Sequence, residues 1–132
     1  MIKHIYVGAD LEKDLYDNYK NKYNNGEDFY GVFGDVQDIF IDVSIDKMIG
    51  MGDIDFNNTY IYVHKIESCE EYGYKNAGKK MINYLKSFNK EIRGEATVDS
   101  VGFWKKVDAV IGDYVSASDC FEFIIPVIKN NL

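Results

Sequence analysis

The stretch from Ile39 to Asp46 limits the fold most, because Ile39, Ile41, Val43 and Ile45 alternate with Phe40, Asp42, Ser44 and Asp46. Successive side chains of a strand point to opposite faces, so a period of two marks a strand with one face turned to a core. Gly34-Asp35 ahead of it reads as a tight turn and Phe29 to Phe33 as the preceding strand. Together these predict a β-hairpin. A hairpin alone leaves an apolar face uncovered, so the remaining segments must supply the layers that bury it.

Those segments can be read in order. Lys3 to Val7 is expected to be a strand ended by Gly8. Asp10 then suits a helix N-cap, and Leu11, Leu15, Tyr19 and Tyr23 follow at intervals of four until Asn24-Asn25-Gly26 stops the helix. The span from Lys47 to Thr59, with Gly50 and Gly52, reads as a loop or irregular excursion. Tyr60 to Ser68 is a strand rich in β-branched and aromatic residues. After a polar loop from Glu70 to Asn76, the residues Ala77, Met81, Leu85 and Phe88 make a helical face. Glu91 to Thr97 reads as a strand, Ser100 to Val107 as a short helix, and Val110 to Val115 and Phe121 to Ile128 as two closing antiparallel strands. The predicted order is β-α-β-β-β-α-β-α-β-β. It implies an α/β (α+β) fold, a mixed central β-sheet flanked by helices, in one domain over the 132 residues.

Charge narrows the function. Lys and Arg number 15 against 22 Asp and Glu, a formal net charge of −7, which opposes nucleic-acid phosphates unless a basic stripe compensates. No such stripe is visible. The short cluster Lys75, Lys79, Lys80 suits one small anion, not a duplex. Cys69 and Cys120 lack metal-type spacing, as do His4 and His64, so no metal site is expected. Free thiols and the lack of a signal peptide suggest the cytoplasm. The apolar stretches are too short for a membrane span.

The segment Glu70-Glu71-Tyr72-Gly73-Tyr74-Lys75-Asn76-Ala77-Gly78-Lys79-Lys80-Met81-Ile82 resembles the coenzyme A signature of the GNAT superfamily, Gln/Arg-x-x-Gly-x-Gly/Ala between a strand and a helix. Gly78 fills the last motif position, while Gly73 replaces the usual Gln or Arg and Asn76 the usual Gly. A second GNAT pattern, Asn-x-x-Ala-x-x-Phe-Tyr followed by a lysine and Gly-Phe, is similar to the run from Thr97 to Ala109. Phe103 and Lys106 match directly, and Thr97, Ser100, Trp104 and Asp108-Ala109 are replacements.

The resemblance implies acetyl-CoA as cosubstrate and an amine as acceptor. A pyrophosphate would take the backbone N–H groups opening the helix, within the cradle Gly73, Tyr74, Lys75, Asn76, Ala77, Gly78 and Lys79. Backbone groups of Ile66, Glu67 and Ser68, on a strand splayed from its parallel neighbour, would bind the pantetheine arm. Thr97 and Phe103 would lie along the cofactor's other side. His64 is the candidate base and Glu67 the lesser one, on the other face of a regular strand. Trp104 stands where the family places its tyrosine acid, and an indole N–H cannot give up its proton near neutral pH. The acceptor pocket would be open, shared with a second subunit in a homodimer, or completed by the span from Lys47 to Thr59 with Asp53, Asp55 and Tyr60. Two functions therefore stand side by side: an active N-acetyltransferase, or an impaired acyl-CoA-binding or protein-interaction module. Accidental similarity in an unrelated α+β domain is the third reading.

Overall fold

A computed structural model describes residues 1–6, 38–45, 47–68 and 75–127. Its elements are β1 (Ile2–Tyr6), β2 (Asp38–Asp42), β3 (Lys47–Phe56), β4 (Tyr60–Ser68), helix α1 (Ala77–Lys86), β5 (Glu91–Thr97), a 3-10 turn (Val98–Ser100), helix α2 (Val101–Lys106), β6 (Val110–Val115) and β7 (Cys120–Ile125). The strands form a seven-stranded sheet in the order β1-β2-β3-β4-β5-β7-β6. It is mixed, since β4 and β5 run parallel while β1/β2, β2/β3, β5/β7 and β6/β7 are antiparallel. The helix expected after Asp10, the strand from Phe29 to Phe33 and the turn at Gly34-Asp35 lie outside the described residues.

Two expectations are corrected. The alternation from Ile39 to Ile45 is not one strand, because β2 ends at Asp42 and Val43 to Ile45 form a turn. Asp42 makes that turn: its Oδ1 accepts from the Ser44 backbone N–H at 3.1 Å and from the Ser44 hydroxyl at 2.6 Å. A side chain that satisfies nearby backbone in this way offers the chain an alternative to the ladder. The span expected to be a loop from Lys47 to Thr59 is instead mostly the ten-residue strand β3, whose Gly50 pairs with Phe40 and Gly52 with Asp38.

Two compact units divide the chain: Met1–Ile54 with Lys65–Met81, and Asp55–His64 with Ile82–Leu132. In the first unit, all five residues of β2 are buried, and Ile39, Phe40, Ile41, Met48, Ile49, Met51, Ala77 and Met81 form the core. Two carboxylates are buried with them. Asp38 accepts from the Ile54 backbone N–H at 2.9 Å and meets His4 Nε2 at 2.6 Å. Asp42 receives Lys80 Nζ at 2.9 Å as well as Ser44. Burial of a charge is tolerable only with such partners.

The second unit is built on strict alternation. Along β5, Ile92, Gly94 and Ala96 are buried, while Arg93, Glu95 and Thr97 are exposed. The buried face adds Ile61, Val63, Phe123 and Ile125, and Trp104 of α2 stacks on Phe123 with ring centres 4.0 Å apart at 22°. Among the described residues, no helix is long and apolar enough to cross a membrane.

Candidate functional site

Helix α1 opens abruptly. Asn76 adopts the left-handed conformation, φ 61°, and its carbonyl accepts the first helical bond, from Lys80 N–H at 2.9 Å. Asparagine visits this region more readily than other side-chain-bearing residues, so it can stand here where the resembled signature prefers glycine. Ala77 and Gly78 are buried, while Lys75, Asn76, Lys79 and Lys80 are exposed. The first turn holds no acidic residue. Lysines at a helix N-terminus oppose the helix dipole, so their placement favours a bound anion over an empty turn. Lys80 is turned to Asp42, and among the described residues Lys79 has no ion-pair partner.

The second part of this region is the end of β4. Its parallel ladder with β5 runs from Tyr60–Glu91 to Val63–Gly94 and stops, although β4 continues to Ser68 and β5 to Thr97. Beyond the last pair, Ile66 and Ser68 are half-buried and Glu67 is exposed. Among the described residues the last β4–β5 pair is Val63–Gly94. Gly73 and Tyr74, with Tyr72 and Cys69, lie outside the described residues.

His64 sits at the end of the ladder, in the second unit, with its side chain 46% exposed. Its Nε2 lies 2.7 Å from Asp55 Oδ2, and its ring packs 4.7 Å from Tyr62. Among the described residues its polar partner is a carboxylate. A carboxylate on one ring nitrogen fixes the imidazole's orientation, as general-base sites require. Sequence reasoning missed this pair because it depends on β3 being a strand. The turn that folds β4 back along β3 is closed by Asn57 N–H to the Tyr60 carbonyl at 3.0 Å.

The remaining predicted residues have local duties. The Thr97 hydroxyl donates to Ser100 Oγ at 2.9 Å, and Ser100 Oγ donates to the Thr97 carbonyl at 3.1 Å, so the two close the 3-10 turn. Phe103 is half-buried and edge-on to Trp104 at 5.2 Å. Trp104 itself is 5% exposed and belongs to the core.

An open cavity of about 240 Å³ lies on the exposed face of the second unit, lined by Tyr62, Arg93, Glu95, Glu122 and Ile124, with Gly94 and Phe123 beneath. Arg93 is engaged: it donates twice to Glu91, at 3.0 and 2.8 Å, and lies 4.3 Å from the centre of the Tyr60 ring. Glu95 and Glu122 are direct cross-strand partners with no ion pair among the described residues. Burial pushes the Tyr62 phenol up, and the charges of Glu95 and then Glu122 push it further.

No family profile matches the chain. An uncharacterized N-acetyltransferase of Bacillus pumilus is 30% identical over 109 residues, 80% of this chain and 64% of the relative. Another, of Oceanobacillus iheyensis, is 27% identical over 116 residues, 86% of this chain and 68% of the relative. Among solved structures, the Bacillus subtilis N-acetyltransferase YlbP in complex with coenzyme A superposes with a TM-score of 0.58 at 18% identity, covering 94% of this chain and 95% of that one. The chain has a GNAT-like fold. Ard1 from Thermoplasma volcanium superposes with a TM-score of 0.58 at 15% identity over 97% of this chain and 99% of that one, and an acetyltransferase from the GNAT family of Bacteroides thetaiotaomicron with 0.56 at 12% identity over 98% and 88%. The chain spans about two thirds of the curated relatives, 64% and 68% of their lengths. The mixed seven-stranded sheet is what the chain has in common with the GNAT fold.

Proposed function

We propose that this chain binds acetyl-CoA and transfers its acetyl group to a primary amine. The carrying observation is the end of the parallel ladder at Val63–Gly94, in a chain whose next helix opens on lysines with no acid in its first turn. These features fit the cosubstrate, which is anionic at its pyrophosphate and needs hydrogen-bond partners along its arm. The cradle Gly73 to Lys79 takes the pyrophosphate through backbone N–H groups, with Lys79 as the added cation. Ile66, Glu67 and Ser68 offer backbone groups to the pantetheine arm. Thr97 and Phe103 are assigned to the same cofactor, as the motif implies.

The cosubstrate supplies a thioester carbon open to attack. His64, oriented by Asp55, removes the proton of the incoming amine as nitrogen bonds to that carbon and the carbon–sulfur bond breaks. The electron pair leaves on the coenzyme A thiolate, which is stable enough to depart without Trp104 acting as an acid. The acceptor approaches over the exposed face, where Glu95 and Glu122 favour a cationic amine. No metal takes part. We place the protein in the cytoplasm, acting as one acyl-CoA-binding domain, alone or as a homodimer, with no nucleic-acid or membrane partner.

A second reading has its own support. Trp104, which replaces the tyrosine of the resembled pattern, is packed in the core, which favours an impaired acyl-CoA-binding or protein-interaction module. One experiment separates the two. Acetyl-CoA is titrated by calorimetry, and thiol release is then followed across a panel of primary amines. Binding with release that falls at least tenfold in His64→Ala supports the transferase; binding without release supports the module. No binding at all sinks both.

A further inference from the structure

Two glycines of β3 lie unusually close to the neighbouring backbone. Gly50 and Gly52 are alternate residues, so their Cβ positions lie on one face of the strand. A Cβ on Gly52 would collide with the Lys65 carbonyl oxygen and come within 3.5 Å of Ile66 Cα. One on Gly50 would meet the Glu67 carbonyl oxygen at 2.6 Å and the end of the Met81 side chain. In a regular pleated sheet, partner carbonyls lie in the plane of the ladder, and Cβ atoms stand out of it. Here two carbonyls of β4 occupy the very volume that two side chains of β3 would fill. Their spacing matches, since residues 65 and 67 answer residues 52 and 50 in antiparallel order.

The peptide group is planar and trans, so each carbonyl points opposite to the N–H of the next residue. With the Lys65 and Glu67 carbonyls turned onto β3, the N–H groups of Ile66 and Ser68 point away from it. These residues lie beyond Val63, where the β5 ladder has ended.

We infer that Gly50 and Gly52 are positioning residues: by lacking side chains they let the end of β4 turn its carbonyls onto β3, which presents the amides of Ile66 and Ser68 to the acyl-pantetheine arm. The inference rests on the acetyl-CoA reading, and it assigns to the glycine pair a duty that the loop expectation had hidden. Gly52 is the sharper position, because its obstacles are backbone atoms only, whereas Met81 is flexible.

The test compares two ligands on four proteins. Acetyl-CoA and adenosine 3′,5′-bisphosphate, which lacks the pantetheine arm, are titrated into the wild type, Gly52→Ala, Gly50→Ala and the control Gly102→Ala, whose added Cβ meets nothing within 4 Å. Gly52→Ala is expected to lose about tenfold in acetyl-CoA affinity, the factor one amide hydrogen bond of ordinary strength supplies, while keeping its affinity for the bisphosphate. Gly50→Ala should show the same selectivity to a smaller degree, and it carries the test if Gly52→Ala does not fold. Gly102→Ala should match the wild type for both ligands. Equal losses for both ligands, or an unchanged acetyl-CoA affinity in the glycine variants that fold, would overturn the inference alone. A wild type that binds neither ligand overturns the acetyl-CoA reading, and the inference with it.

Discussion

β2 and β5 solve the problem of charge in a sheet in opposite ways. β2, Asp-Ile-Phe-Ile-Asp, is buried along its whole length, so each carboxylate at its ends is tied to specific partners. β5 buries every second residue and leaves its charges on a wet face, where Glu95 stands opposite Glu122 and neither has an ion-pair partner among the described residues. The first arrangement makes charge structural, and the second leaves it available to a ligand. Which of the two holds at a position is decided by burial, not by residue type.

The sharpest way to break this contrast is to remove the partner-bound charge. Asp38→Ala strands the buried Ile54 N–H and removes the carboxylate from His4, and should cost about 3 kcal/mol in urea denaturation. Glu122→Ala, on the exposed face, should stay within about 0.5 kcal/mol of the wild type. Similar losses for both would end the distinction.

A smaller effect comes from acid. The Ser44 hydroxyl, and then Lys80, hold the Asp42 carboxyl at about 2 instead of 3.8. A depressed folded-state value means that the unfolded chain takes up the proton first, so the contribution is complete above about pH 4 and disappears as pH falls through about 2. It amounts to about 2 kcal/mol, and Asp42→Asn should flatten the acid limb of the stability curve by that amount. An unchanged limb would show that Asp42 is not held as its contacts indicate.

The smallest effect sharpens the exposed side of the comparison. Glu122→Gln removes one of the charges that raise the Tyr62 phenol, leaving burial as the larger cause. The phenol should titrate slightly lower in the variant, read as the ultraviolet difference between proteins with and without Tyr62→Phe. A titration that does not move would mean that the carboxylate and the phenol are not electrostatically linked.

Much of the chain from Tyr60 onward was legible. β5 alternates cleanly and β4 carries β-branched and aromatic residues, so both strands have the expected bounds. Helix α1 begins at Ala77 as its spacing indicated. The first unit was harder to read because its strands are buried on more than one face and tertiary contacts override local pattern. Gly50 and Gly52 have the composition of a loop, yet they make room for a neighbouring backbone, which no single-strand periodicity reveals. The alternation through Val43 and Ile45 continued past the strand because the Asp42–Ser44 contact decides where it stops. Of the candidate site, the lysine-bearing helix start could be read locally. The Asp55–His64 pair could not, since its two residues meet only once β3 is known to fold back on β4.

Trp104 is the chain's one tryptophan, and it is stacked on Phe123 inside the unit that holds β5 and β7. Its emission is therefore a private gauge of that unit's packing, silent about the strands around Asp38. A fluorescence melt laid over one followed by circular dichroism would reveal whether both halves of the chain surrender their order at one temperature or at two.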